Sequence, residues 1–250
     1  MIFENLERDL LEFLEENLKK TGKRNFIVGL SGGLDSAVVT ALCSEVAKTY
    51  AIIMPAVKDA NLDDALSHAL KFNLTHEIVS IKPLLDAYPN QNLSNHRRGN
   101  LMARFRMVTL YDLSEEFDAV VVGTSNLSER LLGYSTIYGD SACAFNPIGE
   151  IFKTEIFKFA KHLNIDEKII SKSPSAELFE GQSDESDLGY SYEELDAVLK
   201  EYYDGGVSFD ELKTKQDKNI VEFIEKRVRN NAFKLKMPEI AQIRSKSLKL

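Results

Sequence analysis

The chain is poor in residues that hold metals unaided or staple small folds. Its two cysteines, Cys43 and Cys143, lie far apart with no Cys-x-x-Cys spacing. That usage suits a reducing cytoplasm and excludes a thiolate zinc site. The four histidines (His68, His76, His96, His162) are scattered, and no two stand at metal-ligand spacing. No apolar stretch approaches the ~20 residues of a membrane span, so no membrane partner is expected. Met1 to Asp9 carries three acidic residues and lacks a secretory-leader pattern; the expected location is the cytoplasm. Positive charge is also in short supply. The net charge is -8, which argues against non-specific binding to nucleic acid, whose affinity comes largely from Lys and Arg on phosphates. A local basic pocket for a small anion stays open.

What the chain does have is ordinary globular material. At 250 residues, 44% hydrophobic and 28% charged, it matches the average soluble domain. It is long enough to bury a continuous core without disulfides or metal staples. Cys43, in Ala41-Leu42-Cys43, reads as a small core residue. Phe3, Leu6, Leu10, Phe13/Leu14 and Leu18 recur at helical spacing, predicting an amphipathic helix that Thr21-Gly22 ends. Short apolar runs then alternate with helical patterns. Residues 26–30, 50–54, 76–81 and 119–123 are predicted strands, and 36–48, 62–72 and 95–117 predicted helices. Uniformly apolar strands alternating with helices predict an α/β fold, a Rossmann-like, doubly wound parallel sheet covered on both faces. Beyond residue 150 the pattern turns helical: Ser191-x-x-Glu194 and Ser208-x-x-Glu211 are capping-box starts. Ile220, Phe223/Ile224 and Val228 mark a further helix. Residues 171–189, rich in Ser, Asp, Glu, Gly and Pro, read as a long loop of the kind that serves as a lid.

The sharpest local signal is Gly29-Leu30-Ser31-Gly32-Gly33-Leu34-Asp35-Ser36, between the first strand and the first sheet-covering helix. Adjacent glycines let a ligand approach the backbone closely. The following helix points unpaired N–H groups and its positive dipole end at the loop. Ser31 and Ser36 add hydroxyls, completing an anion site suited to pyrophosphate. The segment lacks the Gly-x-x-x-x-Gly-Lys-Ser/Thr of a Walker loop and the Gly-x-Gly-x-x-Gly of a dinucleotide fingerprint. Asp35 would repel phosphate oxygens unless a cation intervened, and magnesium takes one or two carboxylates plus phosphates. The plain competitor is an ordinary strand-to-helix turn with Asp35 complementing the helix dipole.

Ser31-Gly32-Gly33-Leu34-Asp35-Ser36 resembles the Ser-Gly-Gly-x-Asp-Ser signature of the ATP pyrophosphatases, which cleave ATP between its α and β phosphates and adenylate a substrate. Later segments resemble one branch, the NAD synthetases. They are Asn100-Leu101-Met102-Ala103-Arg104-Phe105-Arg106-Met107, Gly123-Thr124-Ser125-Asn126-Leu127-Ser128-Glu129, Gly133-Tyr134-Ser135-Thr136-Ile137-Tyr138-Gly139-Asp140 and Pro174-Ser175-Ala176-Glu177-Leu178, with Asp184-Glu185 and Leu188-Gly189 downstream. They fall in family order between residues 26 and 238.

The resemblance implies that Gly29, Leu30, Ser31, Gly32, Gly33, Leu34, Asp35, Ser36, Thr124, Lys153 and Ser175 contact ATP. It implies that Asp35 and Glu129 hold Mg2+, and that Arg104, Asp140 and Lys234 contact deamido-NAD. Asp35 and Lys153 are the implied catalytic pair. Competing readings stay open: Asn126-x-x-Glu129 could simply cap a helix, Arg104 could be one solvated charge among Arg97, Arg98 and Arg106, and Lys153 could be an exposed lysine at a helix start. The sequence departs from the family in having Ile137 for a common Lys, Ala144 for a common Asp, and Phe233 for the histidine before Lys234. Other groups must then recognise the nicotinate half. The implied reaction is ATP-dependent amidation of deamido-NAD, with ammonia as nitrogen donor. Residues 1–250 are expected to form a single synthetase domain without a glutaminase, and a homodimer with deamido-NAD at its interface and the helix at 95–117 as contact. The alternatives are another ATP pyrophosphatase, tRNA-thiolating or GMP-synthetase-like, and a non-catalytic ATP-binding sensor.

Overall fold

The computed structural model describes residues 2–175, 183–241 and 243. Helix α1 (Phe3–Thr21) buries Leu10 and Leu14 and stops at Gly22, whose φ of 71° is a left-handed cap that glycine adopts without a Cβ clash. The sheet region follows as β1 (Asn25–Gly29), α2 (Leu34–Val46), β2 (Thr49–Ile53), α3 (Asp63–Lys71), β3 (Thr75–Ile78), α4 (Lys82–Asp86), α5 (Asn95–Glu116) and β4 (Ala119–Val121). Next come α6 (Leu127–Leu132), α7 (Lys153–His162), α8 (Glu167–Ile170) and α9 (Asp184–Leu188). Then α10 (Tyr192–Tyr203), α11 (Phe209–Lys215) and α12 (Lys218–Asn231) close the described helical part, with a 3-10 turn at Ala232–Leu235.

The four strands are parallel, in the order β3-β2-β1-β4. Side chains alternate across the sheet as a parallel ladder requires. Phe26, Val28 and Val120 pack with Leu14 of α1, Val38 and Leu42 of α2, and Phe159 of α7. Ile27, Ile52 and Val121 face the other way, against Met102 of α5 and Ile81. Both faces are covered, so the strands are apolar throughout. The expected third strand is the exception: β3 ends at Ile78, and Thr75, Glu77 and Ile78 are exposed. Among the described residues it pairs with β2 alone and its side chains face solvent, which is why its composition is less apolar than its neighbours'.

The chain winds outward from β1 to β3 and then crosses back to place β4 on β1's other side. That reversal opens a crevice at the carboxyl ends of β1 and β4, the place where open α/β sheets bind ligands. The helical addition has its own core. Leu188, Leu195, Leu199, Leu212, Ile220 and Ile224 pack against Leu127, Leu131 and Leu132 of α6, so the C-terminal helices are keyed to the segment that leaves β4.

Ser191 and Glu194 form the expected capping box, and the Ser208 hydroxyl accepts the Glu211 N–H. Residues 171–189 are not loop throughout. The Ser183 hydroxyl accepts the Ser186 N–H to open α9, and Gly189 closes it at φ 80°. These cap signals are masked in a composition that is polar overall. Ala176, Glu177 and Leu178 of the matched loop lie outside the described residues. Among the described residues, no helix is long and apolar enough to cross a membrane.

Candidate active site

The glycine loop turns sharply from β1 into α2. Gly32 sits at φ +83°, and a Cβ there would lie 3.2 Å from the Ala65 backbone nitrogen, so any other residue is both strained and crowded. Leu30 and Leu34 are buried, which leaves only their backbone to face a ligand. The Ser31 hydroxyl accepts the Gly33 N–H at 3.1 Å, and the Ser36 hydroxyl donates to the Gly33 carbonyl at 3.0 Å. No side chain caps the start of α2, so its first N–H groups are left for an anion at the positive end of the helix dipole.

Asp35, in the first turn of α2, meets two groups from across the crevice. Asn126, the N-cap of α6 and fully buried, donates its side-chain N–H to Asp35 Oδ1 at 3.1 Å. The Lys153 ammonium, at the head of α7, bonds Asp35 Oδ2 and stands 3.6 Å from Glu129 Oε1. Lys153 is 3% exposed, so it is not the surface lysine its helix-start position allowed. Burial works against its charge, but Asp35 and Glu129 outweigh that and hold its pKa above the ordinary lysine value. Burial, reinforced by the Asp35 charge and opposed by Lys153, pushes the Glu129 carboxyl above the ordinary glutamate range. Glu129 is a helix cap, and it also faces the crevice. Its Oε2 accepts the Asn126 N–H at 3.4 Å, closing a capping box, while Oε1 faces Lys153.

Two carboxylates brought to one ammonium suit a divalent cation that arrives with phosphates. Among the described residues, no three His, Cys, Asp or Glu side chains converge as a metal cage. Magnesium bound through one or two carboxylates and nucleotide oxygens needs none. Thr124 is half-buried just beyond β4. Ser175 follows Pro174, whose carbonyl accepts the N–H of buried Asp184 at 2.9 Å. Asp184 acts electrostatically on both Glu129 and Lys153.

A second cluster follows α6. The Asp140 carboxylate closes a turn by accepting the Thr136 N–H at 2.8 Å, and the Thr136 hydroxyl donates to Asn100 of α5 at 2.6 Å. Arg104, exposed on α5, donates to the Ile137 carbonyl at 3.3 Å. Lys234 donates to the carbonyls of Gly133 and Ser135, each at 2.8 Å. The structure therefore brings Arg104, Asp140 and Lys234 to one segment, 133–140, and Asp35, Glu129 and Lys153 to another, with α6 joining them.

A sequence model of NAD synthase matches residues 6–238. The chain belongs to the NAD synthase family. It is 47% identical over 250 residues to an NH(3)-dependent NAD(+) synthetase of Wolinella succinogenes, covering 96% of both chains. Among solved structures it resembles an NH3-dependent NAD synthetase of Campylobacter jejuni, with TM-score 0.83, 36% identity, and 97% and 100% of the two chains covered. It also resembles an NMN synthetase of Francisella tularensis, with TM-score 0.84, 29% identity, and 97% and 99% covered. For a NAD synthase, the site here has three contributors that motif reading passed over. Asn126 stood out only as a cap, yet it holds Asp35. Asp184 carried no assigned role. Tyr192 of α10 sets its ring 5.5 Å beneath the Lys153 ammonium, and nothing local in the sequence reveals that contact.

Proposed function

We propose that the protein makes NAD by ATP-dependent amidation of deamido-NAD, with ammonia as the nitrogen donor. The observation that carries the reading is the meeting of Asp35, Glu129 and Lys153 beside the glycine loop, in a chain of the NAD synthase family. ATP lies across the carboxyl ends of β1 and β4, its phosphates against the loop N–H groups, with Thr124 and Ser175 as further contacts. Asp35 and Glu129 hold Mg2+, which when bound supplies charge neutralisation on the phosphates. Lys153 carries a fixed positive charge toward the phosphates as negative charge shifts onto the leaving pyrophosphate. Arg104, Asp140 and Lys234 face the dinucleotide.

A carboxylate oxygen of the nicotinate attacks the α phosphorus, the bond to the β-phosphate oxygen breaks, and pyrophosphate leaves. Ammonia then adds to the acyl-adenylate carbonyl, loses a proton and expels AMP, giving the amide. Activation is required because a free carboxylate could expel only oxide, a far poorer leaving group than AMP. No protein nucleophile is needed, and Cys43 is a poor candidate for one, since it is buried and burial pushes its thiol pKa up. We further propose that residues 1–250 act as one synthetase domain supplied with ammonia free or from a separate protein. The active form is a cytoplasmic homodimer in contact through α5.

The test is direct. Protein supplied with ATP, Mg2+, deamido-NAD and ammonium should form NAD, AMP and pyrophosphate in equal amounts, resolved by chromatography. Turnover with glutamine but not ammonium would refute the nitrogen assignment. The likeness to an NMN synthetase favours a second acceptor as an arm of the same assay, the acid mononucleotide; turnover with it in preference to deamido-NAD would replace the dinucleotide reading.

A further inference from the structure

We propose that Asp196, on α10 of the C-terminal helical addition, is a positioning residue for the chemical step, holding Lys153 and the Glu129 segment in register. This rests on the NAD-forming reading above and deepens it. Asp196 is 1% exposed, and a buried carboxylate is retained only where donors satisfy it. Its two oxygens bind two different helices of the site. Oδ2 accepts the Thr154 N–H of α7 at 2.9 Å, and Oδ1 accepts the Ser128 hydroxyl of α6 at 2.5 Å. The Ser128 oxygen in turn accepts the Lys153 N–H at 2.9 Å. One carboxylate thus fixes the backbone of Lys153 directly after it and, through Ser128, the residue next to Glu129.

The arrangement is more than a helix cap supplied from outside. Helix α7 opens at Phe152, which has no side-chain acceptor, so Asp196 and Ser128 serve its first N–H groups. The atoms they serve belong to the residue whose ammonium bonds Asp35. Tyr192 lies one turn before Asp196 on the same face of α10, with its ring under that ammonium. Helix α10 therefore holds Lys153 at both ends, backbone and side chain. A reacting group displaced by about 1 Å loses up to about 100-fold in rate, and Asp196 is placed to set that distance.

Asp196→Ala, Asp196→Asn and Ser128→Ala are compared with wild type for kcat and KM in NAD formation at saturating ammonium, alongside thermal midpoints. Asp196→Ala should lower kcat roughly 10–100-fold, with KM for deamido-NAD within about threefold. Asp196→Asn, which can accept from Thr154 and donate to Ser128, should recover kcat to within about fivefold of wild type. Ser128→Ala leaves the carboxylate and its Thr154 bond in place and should cost about fivefold. If Asp196 acts through Lys153, adding Asp196→Ala to Lys153→Met should cost less than about twofold more in single turnover. A merely structural cap would move the thermal midpoint but leave kcat of folded protein alone. Ser128→Ala with wild-type kcat, or losses that multiply in the double variant, would overturn the inference, even if Asp196→Ala fails to fold. Wild type that makes no NAD sinks the functional reading instead.

Discussion

The Lys153 ammonium lies between two carboxylates that, without it, would repel each other across the crevice. The pair draws its members from the ends of different strands: Asp35 follows β1 and Glu129 follows β4. Asp35 was legible because its signal is local, a glycine turn running into a helix with an acid in the first turn. Lys153 was nameable only by resemblance, because burial is a property of what folds over a residue and α10 does the covering. If both acids ligate magnesium, Asp35→Asn and Glu129→Gln should each raise the Mg2+ concentration for half-maximal turnover by on the order of tenfold or more. An unchanged metal titration in both variants would dismiss them as ligands. At Arg104 the structure shows a bond to the carbonyl of Ile137, so the backbone at the departing position is occupied by a neighbouring cation.

Among the elements, the helices predicted at 36–48, 62–72 and 95–117 match α2, α3 and α5 to within about two residues, the usual uncertainty of helix ends, while the short α4 and α8 went unpredicted. Period and caps are encoded within each segment. Strand β3 and helix α9 were misread because edge placement and capping inside a polar stretch depend on neighbours. The packing of α3 onto α2 beneath the glycine loop carries a measurable consequence. His68 of α3 is fully buried, with Nε2 2.9 Å from the hydroxyl of Thr40 on α2. Burial, which disfavours the charged ring, lowers its pKa to about 4. An exposed histidine titrates near 6.5, so between pH 6.5 and 4 the unfolded chain binds the extra proton and the folded one does not. Stability from this group is complete above pH 6.5 and drains away as pH falls toward 4. Its loss by pH 4.5 amounts to about 2.5 kcal/mol. His68→Gln keeps a donor for Thr40 but cannot titrate, so its urea-derived stability should fall less than wild type's from pH 7 to 4.5, by that amount. Parallel acid limbs would remove His68 as the cause.

For the whole molecule, alternation of apolar runs and helices gave the parallel sheet, but strand order was not legible. Nothing in one sequence says that β4 crosses back beside β1, and the crevice exists only because it does. The same limit applies to self-association, for which surface chemistry has to speak. Helix α5 leaves Val108 and Tyr111 exposed at 54% and 41%, three residues apart and hence on one face. The net charge of -8 on each chain opposes pairing at long range, so the proposed contact would have to draw on apolar burial at short range. Wild type at tens of micromolar should then sediment at twice the 28.2 kDa chain mass, with association stronger at 300 mM than at 20 mM salt as repulsion is screened. Val108→Glu places a carboxylate in that apolar face and should shift the protein to monomer with an unchanged far-ultraviolet spectrum. Because deamido-NAD is expected at the subunit boundary, its KM should rise in the same variant while ATP binding stays intact. A monomeric wild type defeats the dimer itself. A Val108→Glu protein that still pairs moves the contact off α5, and with it the expectation that Arg104, one turn away, meets substrate at a subunit boundary.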